Sequence, residues 1–184
     1  MCIRRADSAR DAGAIASIYA PFVNDTVISF EDVAPAAPEM AERIERLTRT
    51  HAWVVAEDGD GILGYAYGCP HRERAAYRWT TEVTVYVDPG HQRRGAGRAL
   101  YQSLFVRLAD RGYRVALAVI ALPNEPSVGF HEACGFELVG VYRRIGFKLG
   151  RWWDVGWWQL DLAIAGGSAP AEPGPPPARV DETT

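Results

Sequence analysis

Cysteine is scarce in this sequence: only three occur in 184 residues, Cys2, Cys69 and Cys134. They form no C-x-x-C pair, and the cysteines and histidines do not have the spacing of a metal site. We therefore expect neither a disulfide framework nor a bound metal. The odd number of cysteines and the lack of a signal-peptide pattern favour a reducing, cytoplasmic setting.

Long apolar runs are also missing. No stretch approaches the roughly 20 residues that a helix needs to span a bilayer, so we expect no membrane partner. Neither sign of charge dominates, because the formal net charge is only -3 at pH 7. A nucleic-acid-binding domain usually carries a basic surface, so a nucleic-acid partner is not expected either. The proportions of hydrophobic residues (48%) and charged residues (23%) are those of an ordinary globular protein.

The last part of the chain differs in composition from the rest. From residue 164 to residue 184, glycine and proline dominate and large apolar side chains are almost absent. Such a segment cannot bury enough apolar surface to offset the entropy that is lost on ordering. We predict one domain over residues 1–163 and a disordered tail over residues 164–184.

Apolar periodicity and turn residues divide the domain into strands and helices. Helices are predicted from Asp7 or Ser8 to Pro21, from Pro38 as the first helical residue, from a glycine-rich loop to Arg111-Gly112, and over residues 124–134. Strands are predicted over residues 2–5, 52–56, 62–67, 80–87, 115–120, 136–143 and 153–162. This order predicts an α/β fold, with a central mixed sheet of six or seven strands flanked by about four helices.

The glycine-rich loop connects a predicted strand to a predicted helix. It reads Gln92-Arg93-Arg94-Gly95-Ala96-Gly97-Arg98. Glycines let the backbone approach a ligand closely, and free N–H groups at a helix N-terminus bind phosphate oxygens. The arginines add positive charge beside a diphosphate. Taken alone, the loop is equally compatible with a glycine-rich turn carrying solvated arginines. It lacks the Lys-Ser/Thr end of a P-loop and the third spaced glycine of a dinucleotide fingerprint.

Two motifs in succession carry a more specific resemblance. The pattern V-x-P-x-x-Q-R-x-G-x-G-x-A-L, from Val87 to Leu100, resembles the acetyl-CoA motif of the GNAT N-acetyltransferase superfamily. The segment from Asn124 to Phe136 resembles the next motif of that superfamily. The resemblance implies the GNAT fold, in which acetyl-CoA lies between two strands that splay apart. It implies a cofactor site made of Val85, Tyr86, Val87, Gln92, Arg93, Arg94, Gly95, Ala96, Gly97, Arg98, Asn124 and Ser127. Phe130 is expected either to pack against the cofactor or to be an ordinary core aromatic.

Further segments are similar to the phosphinothricin N-acetyltransferases. They are residues 27–31, 76–87, 118–127 and 147–161. That family includes enzymes acting on methionine sulfoximine and methionine sulfone, and its members are usually homodimers. The resemblance implies a small L-amino acid as the acceptor, bound by Phe30, Arg72, Arg74, Tyr77 and Thr80. His71 departs from the apolar or aromatic residue expected at its position, which bears on the choice of substrate. We expect a dimer contact near the tryptophans at 152–153 and 157–158, since aromatic residues are enriched at interfaces.

The chemistry of amide formation requires a base. An α-amino group is largely an ammonium ion near pH 7, and only the neutral amine attacks a thioester. By resemblance, Glu82 is the general base, acting directly or through a water. The N–H of Val85 is expected to stabilise the tetrahedral oxyanion. His131 stands where many superfamily members carry a tyrosine. It is expected to protonate the leaving thiolate or to assist the base, with a structural role as the alternative.

Two other functions are also compatible with the sequence. A protein or peptide N-terminal acetyltransferase shares the cofactor loop but needs an open groove for its substrate. A non-catalytic acyl-CoA sensor keeps the loop but has no need of Glu82 or of the arginines.

Overall fold

The computed structural model describes residues 1–59, 61–162 and 172–174. Seven strands and four α-helices follow one another in the predicted order. The helices are α1 (Ser8–Asn24), α2 (Ala37–Thr48), α3 (Ala96–Asp110) and α4 (Glu125–Ala133). The strands are β1 (Cys2–Arg5), β2 (Trp53–Asp58), β3 (Gly61–Pro70), β4 (Thr80–Val87), β5 (Val115–Leu122), β6 (Glu137–Lys148) and β7 (Arg151–Asp161).

All seven strands form one sheet, in the order β1-β2-β3-β4-β5-β7-β6. Within the described residues, β4 and β5 are the one parallel pair, and every other neighbouring pair is antiparallel. The prediction of an α/β fold with a mixed sheet is therefore confirmed.

A hydrophobic core lies on each face of the sheet. On one face, α3 buries Leu100, Leu104 and Leu108 completely. On the other face, α1 and α2 bury Ile15, Ile44 and their neighbours against β2 and β3. Because side chains alternate along a strand, β4 contributes to both cores. Val83 packs on the α3 side and Tyr86 on the α1–α2 side.

The predicted end of the first helix at Pro21 is wrong. α1 continues to Asn24, and the N–H of Asp25 donates to the carbonyl oxygen of Pro21 at 3.0 Å. Proline removes one helical hydrogen bond. Val23, two residues further on, is only 1% exposed. Burial of the Val23 side chain stabilises the part of the helix that follows the proline.

The last two strands are joined by a tighter hairpin than the sequence suggested. The two residues between Lys148 and Arg151 are Leu149 (φ 50°) and Gly150 (φ 78°). Positive φ at both positions is the geometry of a type I′ turn, whose twist matches that of antiparallel strands. β6 therefore extends five residues beyond the predicted end at residue 143.

Most of the predicted disordered tail lies outside the described residues. The described part, residues 172–174, contacts the domain at two points. Glu172 forms an ion pair with Arg78 at 3.0 Å, and the N–H of Gly174 donates to the carbonyl oxygen of Arg111 at 3.1 Å. No helix in the described part of the chain is long and apolar enough to cross a membrane.

Candidate active site

β4 and β5 separate halfway along their length. Their ladder joins Thr80, Thr81 and Glu82 to Val115, Ala116 and Leu117 and then stops. β4 runs on to Val87 beside β3, and β5 runs on to Leu122 beside β7. The two strands thus diverge beyond Glu82, and a cleft opens between them.

This interstrand cleft has a volume of about 600 Å³. Every predicted cofactor-binding residue except Arg94 lines it, and so do Phe130 and His131. The lining residues come from β4, from the glycine-rich loop with α3, and from α4. The sequence motifs are therefore far apart in the chain but line one cleft.

Backbone geometry leaves the start of α3 open to a ligand. Gly95, the residue before α3, has φ 81° and provides no side chain to cap the helix. The N–H groups of the first helical turn therefore have no capping side chain, which is the arrangement that binds phosphate oxygens. A Cβ atom on Gly97 would lie 3.2 Å from Cε2 of Phe130. The cleft is thus narrow at this point, and the absence of a side chain keeps it open.

Asn124 and Ser127 form the start of α4. The Oδ1 atom of Asn124 accepts a hydrogen bond from the N–H of Ser127 at 3.2 Å and caps the helix. One turn later, Nδ1 of His131 lies 2.8 Å from the carbonyl oxygen of Ser127. Because a carbonyl oxygen can only accept, Nδ1 carries the proton, and Nε2 accepts from the hydroxyl of Tyr101 at 2.9 Å.

Burial keeps His131 neutral. Its residue exposure is 6%, and desolvation lowers its pKa below the usual value. Both ring nitrogens already have partners within the protein. Donating a proton to a leaving group would require His131 to exchange one of them, so its acid role stays a prediction.

A histidine–carboxylate pair lies where β4 and β5 part. Nδ1 of His71 is 2.8 Å from Oε1 of Glu82, and the two side chains are 11% and 28% exposed. The pairing of β3 with β4 sets this contact, since Cys69 lies opposite Glu82 and His71 follows directly after the end of β3. The ring of His71 also meets Tyr77 and Trp157 edge-on, with centroids 5.6 Å away in each case.

Beside this pair lies a cavity of about 740 Å³ that we call the arginine cavity. It is lined by His71, Arg72, Arg74, Tyr77, Trp157 and Gln159, among others. Three of the predicted substrate-binding residues, Arg72, Arg74 and Tyr77, thus face one space. A guanidinium group is suited to bind a carboxylate or phosphinate through two oxygens.

A third cavity, the tyrosine cavity, has a volume of about 990 Å³ and lies on the α1–α2 side of the sheet. It is lined by Tyr19, Tyr65 and Tyr67, and it shares His71 and Arg72 with the arginine cavity. Arg74 and Tyr77 do not line it. His71 therefore lines both of these cavities.

Phe30 and Thr80 are placed differently from the other predicted substrate residues. Neither lines the cleft or the two cavities described above. The ring of Phe30 packs over Gly146 of β6, where a Cβ atom would clash with it. Thr80 begins β4 and pairs with Val115. Of the loop before α2, Ile28 lines the interstrand cleft and Glu31 lines the tyrosine cavity.

Sequence reasoning assigns no catalytic or substrate-binding role to several residues of the site. His71 differs from the residue expected in the family, and Trp157 is predicted as part of a dimer contact. Trp157 and Gln159 reach the arginine cavity because β7 pairs with β5, which places Gln159 beside Leu117. The position of Trp157 and Gln159 depends on the register between β5 and β7. A sequence motif does not specify that register.

Comparison with known proteins agrees with this architecture. A family model described as an acetyltransferase (GNAT) domain matches residues 4–157. The chain belongs to the GNAT family. It is an N-acetyltransferase, and the predicted membership is confirmed.

Two curated relatives show which GNAT enzymes this chain is similar to. A phosphinothricin N-acetyltransferase of Streptomyces viridochromogenes is 38% identical over 92% of this chain and 92% of its own length. An L-methionine sulfoximine/L-methionine sulfone acetyltransferase of Pseudomonas paraeruginosa is 36% identical over 84% of this chain and 94% of its own length. The resemblance to this group is therefore confirmed as well.

A solved structure shares the fold of this GNAT protein. The phosphinothricin acetyltransferase of Sinorhizobium meliloti, in complex with acetyl-CoA, is 36% identical and superposes with a TM-score of 0.87. The match covers 94% of both chains.

Proposed function

We propose that this N-acetyltransferase transfers the acetyl group of acetyl-CoA to the α-amino group of a small L-amino acid. The acceptor is of the phosphinothricin, methionine sulfoximine or methionine sulfone type. One observation carries the proposal: Arg72, Arg74 and Tyr77 line a cavity that adjoins the pair of His71 and Glu82. The names of the relatives from Streptomyces viridochromogenes and Pseudomonas paraeruginosa support the same class of acceptor.

The interstrand cleft is the donor side of this reaction. The uncapped start of α3 offers N–H groups to a diphosphate, and Arg93 and Arg98 line the same space with positive charge. The narrow passage between Gly97 and Phe130 suits an extended, flexible chain such as a pantetheine arm. These features fit acetyl-CoA as the acetyl donor.

The backbone of β4 provides the hydrogen bonds for the thioester. The N–H of Asp88 donates to Leu63 of β3, and the direction of backbone groups alternates along a strand. Val85 and Val87 therefore direct their N–H groups away from β3 and towards the cleft. In our proposal the N–H of Val85 stabilises the oxyanion of the tetrahedral intermediate, because a donor that the strand already holds in place needs little reorganisation.

Glu82 is the general base in this proposal. It lies at the last paired position of β4 and β5, and its carboxylate contacts His71, which lines the arginine cavity. A carboxylate at this position removes a proton from the acceptor ammonium, either directly or through an intervening group. His131 has both nitrogens bound and is neutral, so its geometry supports a role in holding α4 against Tyr101.

We further propose a homodimer formed through β6 and the β6–β7 turn. This surface exposes a continuous series of large apolar side chains, including Val139, Val141, Ile145, Phe147, Leu149 and Trp152. Exposed apolar patches of this kind mark interaction sites. A partner on this surface would lie close to the arginine cavity, which Val139 and Tyr142 also line.

Light scattering should give twice the chain mass for the wild type, and Phe147→Glu should give a monomer. A monomeric wild type would reject the dimer.

The function is tested by an acceptor screen with purified protein, acetyl-CoA and a thiol reagent. Phosphinothricin, methionine sulfoximine and methionine sulfone should release CoA with higher kcat/KM than unsubstituted methionine or glutamate. Release of CoA with peptides but not with free amino acids would support an N-terminal peptide acetyltransferase instead. Binding of acetyl-CoA without turnover on any amine would support an acyl-CoA sensor.

The base is tested by Glu82→Gln, which removes the charge and keeps the shape. Loss of a general base should lower kcat by about 10²- to 10⁴-fold while acetyl-CoA still binds. Glu137→Gln, on the exposed start of β6, is the control for loss of one negative charge. A fall of less than threefold in Glu82→Gln would reject Glu82 as the base.

A further inference from the structure

We infer that His71 is the proton acceptor of this enzyme and that Glu82 acts through it. The inference deepens the proposed function and rests on it, because the proposal makes Glu82 the base and leaves open an intervening group. The geometry identifies that group as the imidazole of His71.

Access to the acceptor distinguishes the two side chains. His71 lines both the arginine cavity and the tyrosine cavity, whereas Glu82 lines neither. A substrate held by Arg72 and Arg74 can therefore contact the ring of His71 within the cavity, whereas the carboxylate of Glu82 does not line that cavity. Oε1 of Glu82 lies 2.8 Å from Nδ1 of that ring.

The hydrogen bond fixes the tautomer. An ionised carboxylate can only accept, so Nδ1 of His71 must carry a proton. In the neutral imidazole the other nitrogen, Nε2, then has a free lone pair and can act as a base. The carboxylate also stabilises the imidazolium that forms when Nε2 takes a proton, which is the role of the carboxylate in a Ser-His-Asp triad.

Aromatic side chains hold the ring in place. Tyr77 and Trp157 contact it edge-on at interplanar angles of 86° and 74°. Packing on two sides together with one hydrogen bond leaves the imidazole little freedom to turn, and proton transfer requires such fixed geometry. Glu82 on β4 is bonded to the ring, and Arg72, Glu73 and Arg74 share the arginine cavity with it. The tyrosine cavity adds charged residues of the loop before α2, of α2 and of the residue after it: Glu31, Glu39, Glu42, Arg43, Glu45, Arg46 and Arg49.

The proton balance of the reaction is complete with this assignment. The acceptor ammonium loses one proton to Nε2 of His71, and His71 later passes it to water. The lone pair of the amine then forms the N–C bond at the thioester carbonyl, and the C–S bond breaks with its electron pair on sulfur. The amine nitrogen loses its second proton, which balances the charge of the departing thiolate as CoA-SH.

The kinetic test compares His71→Phe with the wild type and with Glu82→Gln. Phenylalanine keeps an aromatic ring against Tyr77 and Trp157 but cannot accept a proton. We expect kcat to fall about 100-fold or more, with KM for acetyl-CoA unchanged. The double variant should be little slower than His71→Phe, since the two residues act as one unit.

A test independent of turnover uses the NMR signals of the imidazole ring, with His71→Phe for assignment. In the wild type Nδ1 should be the protonated nitrogen of neutral His71, because the carboxylate of Glu82 can only accept a hydrogen bond. Glu82→Gln removes this obligatory acceptor, so the share of the Nδ1-protonated tautomer should fall. Protonation at Nε2 in the wild type, or the same tautomer ratio in both proteins, would overturn the inference. So would a kcat for His71→Phe within threefold of the wild type. If the wild type acetylated no acceptor at all, the proposed function would fail, while the tautomer would still decide whether the pair exists.

Discussion

The Nζ atom of Lys148 lies 2.7 Å from the carbonyl oxygen of Ser29 and donates a hydrogen bond to it. The same ammonium donates to the carbonyl oxygens of Val23 at 2.6 Å and Glu31 at 2.8 Å. Lys148 is only 8% exposed, and it is the one lysine in the sequence. Three backbone acceptors therefore replace water around this buried cation and tie β6 to the end of α1 and to the loop before α2.

We expect Lys148→Met to destabilise the protein and to loosen that loop. The substitution leaves three buried carbonyl oxygens without a donor, and each unsatisfied group costs about 1–3 kcal/mol. A loss of roughly 3 kcal/mol in the free energy of unfolding, measured by urea denaturation, is the expected result. Lys148→Arg should also destabilise, because a planar guanidinium cannot direct donors to three converging carbonyls in the space of an ammonium. Arg143→Met, on the exposed face of β6, should change stability by less than about 0.5 kcal/mol.

Short-range signals account for what could be predicted from the sequence. The helix around Leu100, Leu104 and Leu108 shows the apolar spacing that α3 buries, and the loop at Gly95 shows the glycine that its positive φ requires. The cofactor motifs were predictable for the same reason, since each is a continuous segment. Pro21 misled the prediction because tertiary packing, seen in the burial of Val23, also acts on the helix beyond the proline, and local sequence does not contain that packing.

Long-range contacts account for what could not be predicted. His71 and Glu82 are eleven residues apart, and they meet only because the pairing of β3 with β4 returns the chain to the same place. Lys148 contacts Ser29 across most of the sequence length. Neither contact leaves a pattern in the amino-acid order, because the partners are set by sheet register and packing.

Gly97→Val is expected to block the interstrand cleft. A Cβ atom at this position would lie 3.2 Å from Cε2 of Phe130 and 3.7 Å from Val87, and the branched side chain would project further. We expect KM for acetyl-CoA to rise about tenfold or more, the equivalent of about 1.4 kcal/mol of lost binding. Phe130→Ala in the same protein should recover part of the loss by giving the new side chain room. Gly129→Ala is the control, since a Cβ atom there meets nothing within 4 Å. An unchanged KM in Gly97→Val would show that acetyl-CoA does not pass this point.

His131→Phe separates a structural role of His131 from a catalytic one. The substitution removes the acceptor for the hydroxyl of Tyr101, which is 1% exposed, and the donor for the carbonyl oxygen of Ser127. We expect a loss of about 1–3 kcal/mol in stability, mainly from the unsatisfied hydroxyl of Tyr101, and a fall in kcat of less than tenfold. Tyr101→Phe should show a similar but smaller loss of stability. A fall in kcat of more than 100-fold at unchanged stability would instead identify His131 as an acid in the reaction.

Burial of His51 should make stability depend on pH below neutrality. His51 is 4% exposed, and burial, with a further contribution from the charge of Arg111, lowers its pKa to about 4. The unfolded chain, with a histidine pKa of about 6.5, therefore binds more protons than the folded protein between these values. Stability from this residue is complete above the unfolded pKa and is lost as the pH falls towards the folded one.

The expected size of the effect is about 2 kcal/mol in the free energy of unfolding between pH 6.5 and pH 5, at about 1.4 kcal/mol per pH unit. Burial also lowers the pKa of His131, which acts in the same direction, so the contribution of His51 must be isolated by substitution. His51→Gln should reduce the slope of stability against pH, whatever it does to stability at pH 8. Equal slopes in His51→Gln and the wild type would mean that His51 titrates alike in the folded and unfolded chain.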